Sequence, residues 1–175
     1  MASEERIKLQ SLRLLLSTSQ NEYSNEHKRT TIIDSKAGIA LPIIATYFLA
    51  LAQMNDYKSI VTSPVSSFWS SLLPLTLFST YTAALILAFI ALVYMIRAVF
   101  PKEYHKVNPV ELYSEEKLTK KYSDFLIEVM HLYFDAISLN RKANNQRFAL
   151  YEKSWLLMFF SLACFVIYIV IKNNT

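Results

Sequence analysis

The chain has 175 residues, 53% of them hydrophobic, with one glycine, five prolines, one cysteine and a formal net charge of +4. One glycine excludes the glycine-cradled phosphate loops of Walker and dinucleotide-binding folds, and one cysteine excludes an intrachain disulfide or a multi-cysteine metal site. With a mean hydropathy of +0.24, the composition predicts an all-α membrane protein rather than a turn-rich β protein.

The first segment, 1–36, is free of proline and glycine and reads as a helix, with Ile7, Leu12, Leu15 and Leu16 giving a rough apolar side. Its cluster LRLLL at 12–16 is too short, and its flanks too polar, for a signal-peptide core. The uncharged run 37–54 follows, and the stretch IIDSKAGIALPII at 32–44 marks its mouth. There Lys36 is expected to snorkel to headgroups and Asp34 to pair with a nearby cation. Gly38 and Pro42 stand four apart, a spacing that allows close helix approach. Pro42 also removes the hydrogen bond to the carbonyl of Gly38, which predicts a kink and makes the pair a candidate gating hinge.

A serine-rich loop leads to the second uncharged run, 72–96, with Tyr57 and Trp69 near the expected interface. This run carries Ser79, Thr80, Thr82, Ala83, Ala84, Ala88 and Ala91, small residues that suit helix packing first and pore lining second. Thr46, Ser79 and Thr82 are candidate pore-lining residues. Segment 37–96 is thus a pair of transmembrane helices with a short outer loop.

The connection 97–153 holds a second helix. Pro109 lies upstream, Ser114 is the candidate cap, and Glu115 and Glu116 occupy the positive first turn. No proline or glycine follows position 109, so one rod is expected from 115 to 171, roughly 85 Å at about 1.5 Å per residue. Its last part, the uncharged run 154–171, is the third span, and 154–175 ends the chain as span and tail. Steps of three and four along the rod pass Leu118, Tyr122, Phe125, Val129, Tyr133, Ala136, Asn140, Asn144, Arg147 and Tyr151.

This stripe is apolar to Ala136 and then turns amide and cationic, with Arg141, Lys142 and Asn145 on neighbouring faces. Buried amides and charges need partners, because leaving them unpaired costs several kcal/mol. In one reading Arg147 pairs with Asp34 or Glu26 and the asparagines bond between helices. In the other, several subunits gather Asn140, Arg141, Lys142, Asn144 and Arg147 into a basic vestibule for a phosphate-bearing signal or an ion path.

Of the 18 lysines and arginines, all but Lys58 and Lys172 precede the first run or lie between the second and third. The positive-inside rule then places the N-terminus and the long connection in the cytoplasm, and 55–71 and the C-terminus outside. No Asp, Glu, Lys, Arg or His lies within the runs, which argues against a proton-relay transporter. Glu128, His131 and Asp135 resemble half of a carboxylate metal site but lack a second Glu-x-x-His pair. No nucleophile set is apparent, so neither enzyme activity, metal nor cofactor is expected.

IIDSKAGIALPI at the first span, YMIRAVFPKE leaving the second and LNRKANNQRFALYEKSW entering the third occur in this order. The ordered set resembles the transmembrane domain of Pycsar effector proteins, membrane components of bacterial anti-phage defence. Asp34, Lys36 and Ala37 match that family's acid-x-lysine-alanine entrance, and Arg97 and Pro101 its arginine and proline after the second span. The resemblance implies impairment of the inner membrane, and arrest or death of the infected cell, when a nucleotide signal is made. The chain has no separate cyclic-nucleotide-binding domain. In this it is similar to the stand-alone effectors found beside nucleotidyltransferases, including those of Hailong-type systems. For these the resemblance implies an oligomeric ion channel opened by a nucleotide or oligonucleotide second messenger, and the expectation for this chain is a homo-oligomeric ring such as a tetramer. The rival expectation is a non-conducting membrane anchor that recruits or restrains a soluble partner.

Overall fold

The computed structural model describes residues 2–54, 68–100, 104–108 and 121–173, with side-chain surroundings from residue 4 in the first stretch and residue 72 in the second. Among these residues the regular structure is helical, with no strand. Helix α1 spans Ala2–Gln53, α2 spans Phe68–Val99 and α3 spans Tyr122–Asn173. All three are long and apolar enough to cross a membrane. Tyr57, Pro101, Pro109, Ser114, Glu115, Glu116 and Leu118, together with the side chain of Trp69, lie outside the described residues.

The helix ends follow local electrostatics. Glu4 and Glu5 sit in the positive first turn of α1, and Asp124 sits in that of α3. Arg97 and Lys172 occupy the negative last turns of α2 and α3. At the start of α3 the carbonyl of Lys121 accepts from the amides of Asp124 at 2.9 Å and Phe125 at 3.1 Å. At the end of α1 the Tyr81 hydroxyl lies 2.6 Å from the carbonyl of Leu51 and 2.9 Å from that of Met54. The Leu51 carbonyl also accepts from the Met54 amide at 3.1 Å, so the tyrosine adds a side-chain bond to the last turn of α1.

The chain divides into two compact units, Met1–Ile33 with Pro101–Gln146, and Asp34–Phe100 with Arg147–Thr175. In the first unit Leu12, Leu126 and Met130 form the core, with Leu9, Leu16 and Ile127 against them. The buried face of α1 here repeats every seven residues as Leu12, Ser19, Glu26 and Ile33. This corrects the expected apolar side: Ile7 is 63% exposed and Leu15 48% exposed. One residue is a rotation of about 100°, so Leu15 cannot share the seam that Leu12 and Leu16 occupy. Along α3 the expected stripe holds from Val129 through Ala136 to Asn144, whereas Tyr122 is exposed under the Arg13 guanidinium, 5.6 Å from its ring centre.

The second unit is built on the same repeat. Along α2, Leu77, Tyr81, Ala84, Ala88, Ala91, Met95 and Ala98 are buried at alternating steps of four and three. Ala37, Ala40, Ile44 and Leu51 of α1, and Arg147, Ser154, Ser161 and Tyr168 of α3, keep the same rhythm. A seven-residue repeat lets long helices stay in contact by supercoiling left-handedly. The α2 seam is rich in alanine and the α3 seam carries two serines, while Ile39, Ile43, Leu75, Phe89, Phe159 and Ile167 face outward. An outer surface of large apolar groups over a seam that includes small residues and serines suits lipid as the solvent.

Three bonds set the register of α2 against α3. The guanidinium Nε of Arg147 donates to the carbonyl of Ala98 at 2.9 Å. The hydroxyls of Ser154 and Ser161 donate to the carbonyls of Ala91 at 2.7 Å and Ala84 at 2.6 Å. Each rung advances one heptad along α3 and retreats one along α2, so the helices are antiparallel. Ser161 spends its proton on Ala84, so the Tyr47 hydroxyl, 3.1 Å away, donates to Ser161 and ties in α1.

The expected close approach at Gly38 is not made. A Cβ there would meet nothing within 4 Å, and both Gly38 and Pro42 are exposed. The α1 seam runs one residue earlier and two later, through Ala37 and Ala40, and the helix continues unbroken past Pro42.

Candidate functional site

The polar patch of α3 divides into two clusters, one in each unit. In the first unit Asn140 turns both ends of its amide to the backbone of His105. Its Oδ1 accepts from the His105 amide at 2.9 Å and its Nδ2 donates to the His105 carbonyl at 3.0 Å. The side chain thus mimics a strand partner and pins segment 104–108, since leaving a buried amide unmet costs about 1–3 kcal/mol. Tyr23 adds a longer bond to the same carbonyl, at 3.4 Å.

One turn further along α3, the Nδ2 of Asn144 reaches the backbone carbonyl and the carboxylate of Glu26, both at 3.1 Å. Its Oδ1 accepts from the Thr30 hydroxyl at 3.1 Å. Glu26 is buried, and its other oxygen takes the Nε of Arg141 at 2.9 Å, while Glu22 takes Nη2 at 3.0 Å. The guanidinium of Arg141 is therefore held by two carboxylates while its side chain stays 51% exposed. Hydrogen bonding to Glu26 raises its pKa further, keeping it a fixed cation. Lys142 beside it is exposed.

Tyr104 lies in this cluster, with its ring 5.9 Å from Tyr23 and 5.4 Å from His27, centre to centre. Its hydroxyl is buried near Tyr23 and Asn140 but meets neither in hydrogen-bonding geometry. Burial, and then the neighbouring Tyr23, pushes its pKa from 10.0 up to about 12.

In the second unit Arg147 is buried, with Nε on the Ala98 carbonyl and Nη2 on the carboxylate of Asp34. Of the two acids that the sequence offers to Arg147, Asp34 is the partner; Glu26 takes Arg141 and Asn144 instead. Lys36 stands exposed two residues on, at the rim of a groove along α3. Of the candidate pore residues Thr46 and Ser79 are exposed and Thr82 is half-buried, and the Ser79 hydroxyl donates to the Thr76 carbonyl at 3.0 Å.

The site residues seen in sequence are therefore gathered as Asn140, Arg141 and Asn144 in one cluster, and Arg147 with Asp34 in another. Sequence reasoning missed Glu22, Thr30, Tyr104, the His105 backbone and the Ala98 carbonyl. The seven-residue recurrence of Ser19 and Glu26 between Leu12 and Ile33 is the signal that marks Glu26 as buried and in need of a cation. Backbone partners such as Ala98 and His105 leave no such trace in residue type. Comparison with family models, with curated proteins and with solved structures gives no match to this chain.

Proposed function

We propose that this chain is an anti-phage membrane effector of the Pycsar-like kind: a homo-oligomeric channel of the bacterial inner membrane, opened by a nucleotide signal. The observation that carries the reading is the clasp on Arg141, a half-exposed guanidinium held by Glu22 and Glu26 with Lys142 exposed beside it. Phosphate has the same fork-accepting geometry as carboxylate and more charge, so a nucleotide phosphate can displace Glu22 and compete with Glu26. That exchange frees an acid on α1, and a signal that binds the open form better than the closed one shifts the equilibrium. In this reading a nucleotidyltransferase partner is the source of the signal. The excess of lysine and arginine before the first run and after the second supports an N-terminus in the cytoplasm, where such a signal is made. The three apolar spans among the described residues offer no obvious aqueous path by themselves, so several copies, such as four, would surround the pore.

The test is ion flux from liposomes holding the purified full chain, with cyclic nucleotides and short oligonucleotides added outside and inside. The reading expects flux with one class of nucleotide, loss of response in Arg141→Ala, and a lower activating concentration in Glu22→Gln. Silence with every nucleotide class overturns it.

A non-conducting anchor is the second reading, and one observation favours it. Ile7 and Leu14 of α1 are exposed one heptad apart, in the unit that also exposes Phe134 and Leu139. Apolar groups at this density fit a protein partner. A liposome-silent chain that retains a soluble protein through Ile7 and Leu14 would be this anchor.

A further inference from the structure

Within the second unit a groove of about 610 Å³ runs along α3, lined by Lys36, Phe148, Tyr151, Lys153, Trp155 and Phe159 among others. Its aromatic rings form one ladder. Phe148 stacks on Tyr151 with centres 6.3 Å apart, Tyr151 meets Trp155 edge-on at 6.4 Å, and Trp155 lies 6.0 Å from Phe159. From Phe148 to Phe159 the helix rises roughly 16 Å, and the ladder crosses the edge of the uncharged run, with Phe148 and Tyr151 before it and Trp155 and Phe159 inside it.

The two lysines stand where the chemistry changes. Lys36 immediately precedes the uncharged run of α1, and Lys153 immediately precedes that of α3. Both are exposed, and among the described residues neither is in an ion pair. Beyond them the wall is apolar, with Leu156 56% exposed and Phe159 63% exposed. A groove with cations at its mouth and aromatic or aliphatic walls in the uncharged run matches a molecule with an anionic head and a hydrocarbon tail.

We infer that this groove binds one anionic glycerophospholipid, its phosphodiester on Lys36 and Lys153 and an acyl chain laid along Trp155, Leu156 and Phe159. Glu152 also lines the mouth, so the two lysines leave a net charge of one. This suits a phosphodiester of single charge rather than a polyphosphate, and Glu152 can accept a hydrogen bond from a headgroup hydroxyl. A free nucleotide would have to place its base against residues of the uncharged run, inside the hydrocarbon layer. The inference rests on α1 and α3 lying in a bilayer, and it is independent of what opens the protein.

The test uses the purified, delipidated full chain in detergent, titrated with dioctanoyl phosphatidylglycerol, dioctanoyl phosphatidylcholine, inorganic phosphate and adenosine monophosphate. Bound ligand is read by native mass spectrometry and by tryptophan fluorescence. Saturable binding of phosphatidylglycerol is expected, with phosphatidylcholine weaker and neither soluble anion competing. Lys36→Gln and Lys153→Gln should each weaken it about five-fold, and both together about 25-fold, at low salt. Lys36→Arg with Lys153→Arg should retain it. Both lysines are exposed, so these variants keep the wild-type unfolding midpoint and loss of binding cannot be ascribed to misfolding. Equal binding of the two lipids, competition by phosphate or adenosine monophosphate, or an unchanged double glutamine variant overturns the inference. Whether the chain stays in the membrane pellet after alkaline carbonate washing tests the bilayer premise separately.

Discussion

The buried guanidinium of Arg147 is bound to a carboxylate, that of Asp34, which is itself half in solvent: the side chains are 4% and 52% exposed. The pair is therefore asymmetric, and so are the consequences of breaking it. Asp34→Asn leaves a buried cation with the Ala98 carbonyl as its remaining strong partner, and is expected to cost about 3 kcal/mol. Arg147→Met leaves a carboxylate that water can solvate, and loses chiefly the bond to Ala98, about 1 kcal/mol. Unfolding midpoints of the two variants in detergent check the order. An arginine variant less stable than the asparagine one would mean that the acid, rather than the base, is the dependent partner.

Gly38 occupies a helix interior with open space where its side chain would be. Gly38→Ala should stabilise the chain by about 0.5–1 kcal/mol, because alanine restricts the unfolded backbone and favours helix without a clash. If the protein is the proposed channel and Gly38 and Pro42 form its gating hinge, the double alanine variant inserts and assembles normally yet no longer opens to a nucleotide signal in liposomes. Normal opening would remove the hinge.

The ladder from α3 to the carbonyls of α2 makes two contrasting predictions. Ser161→Ala removes one bond to Ala84 and the acceptor for Tyr47, at a cost of about 0.6–1 kcal/mol. Ala88→Leu places a large side chain in a fully buried seam and should cost about 1–3 kcal/mol or more. Thermal unfolding of the detergent-solubilised chain measures both, and the leucine variant should be the worse of the two. The reverse order would show that hydroxyl bonding, not close approach, holds α2 to α3.

Tyr104 carries a pH dependence of known sign. Its pKa is pushed from 10.0 up to about 12 in the folded chain, so the folded state holds its proton after an unfolded chain has lost it. The stability it contributes is complete below pH 10.0 and is lost as the pH rises towards about 12. Tyr104→Phe should flatten this alkaline limb of the unfolding curve and, because it removes a buried hydroxyl without a partner, leave stability at neutral pH equal or higher. An identical limb in both proteins would assign it to another group.

Much of this organisation is legible in residue order alone. Three uncharged runs of bilayer length, the bias of lysine and arginine towards two segments, and the amide and cationic interruption of the α3 stripe are all local patterns. Each follows from transfer energies that depend on residue type and a helical period. The small residues of α2 also announced a packing face, and Ala84, Ala88 and Ala91 are fully buried.

Tertiary structure decided the partners. Small residues recur every seven positions in the seam at Ala84, Ala91 and Ala98 and at Ser154 and Ser161, so hydropathy does not say which level of one helix faces which level of another. That choice is made by the few polar groups that must be met in a dry interface: Arg147 on Asp34 and Ala98, Ser154 on Ala91, Ser161 on Ala84. Two of the exposed positions, Ile7 and Leu15, were misplaced for the same reason. Composition specifies that a helix has an apolar side, and only contact with a neighbour selects which of several adjacent sides is buried.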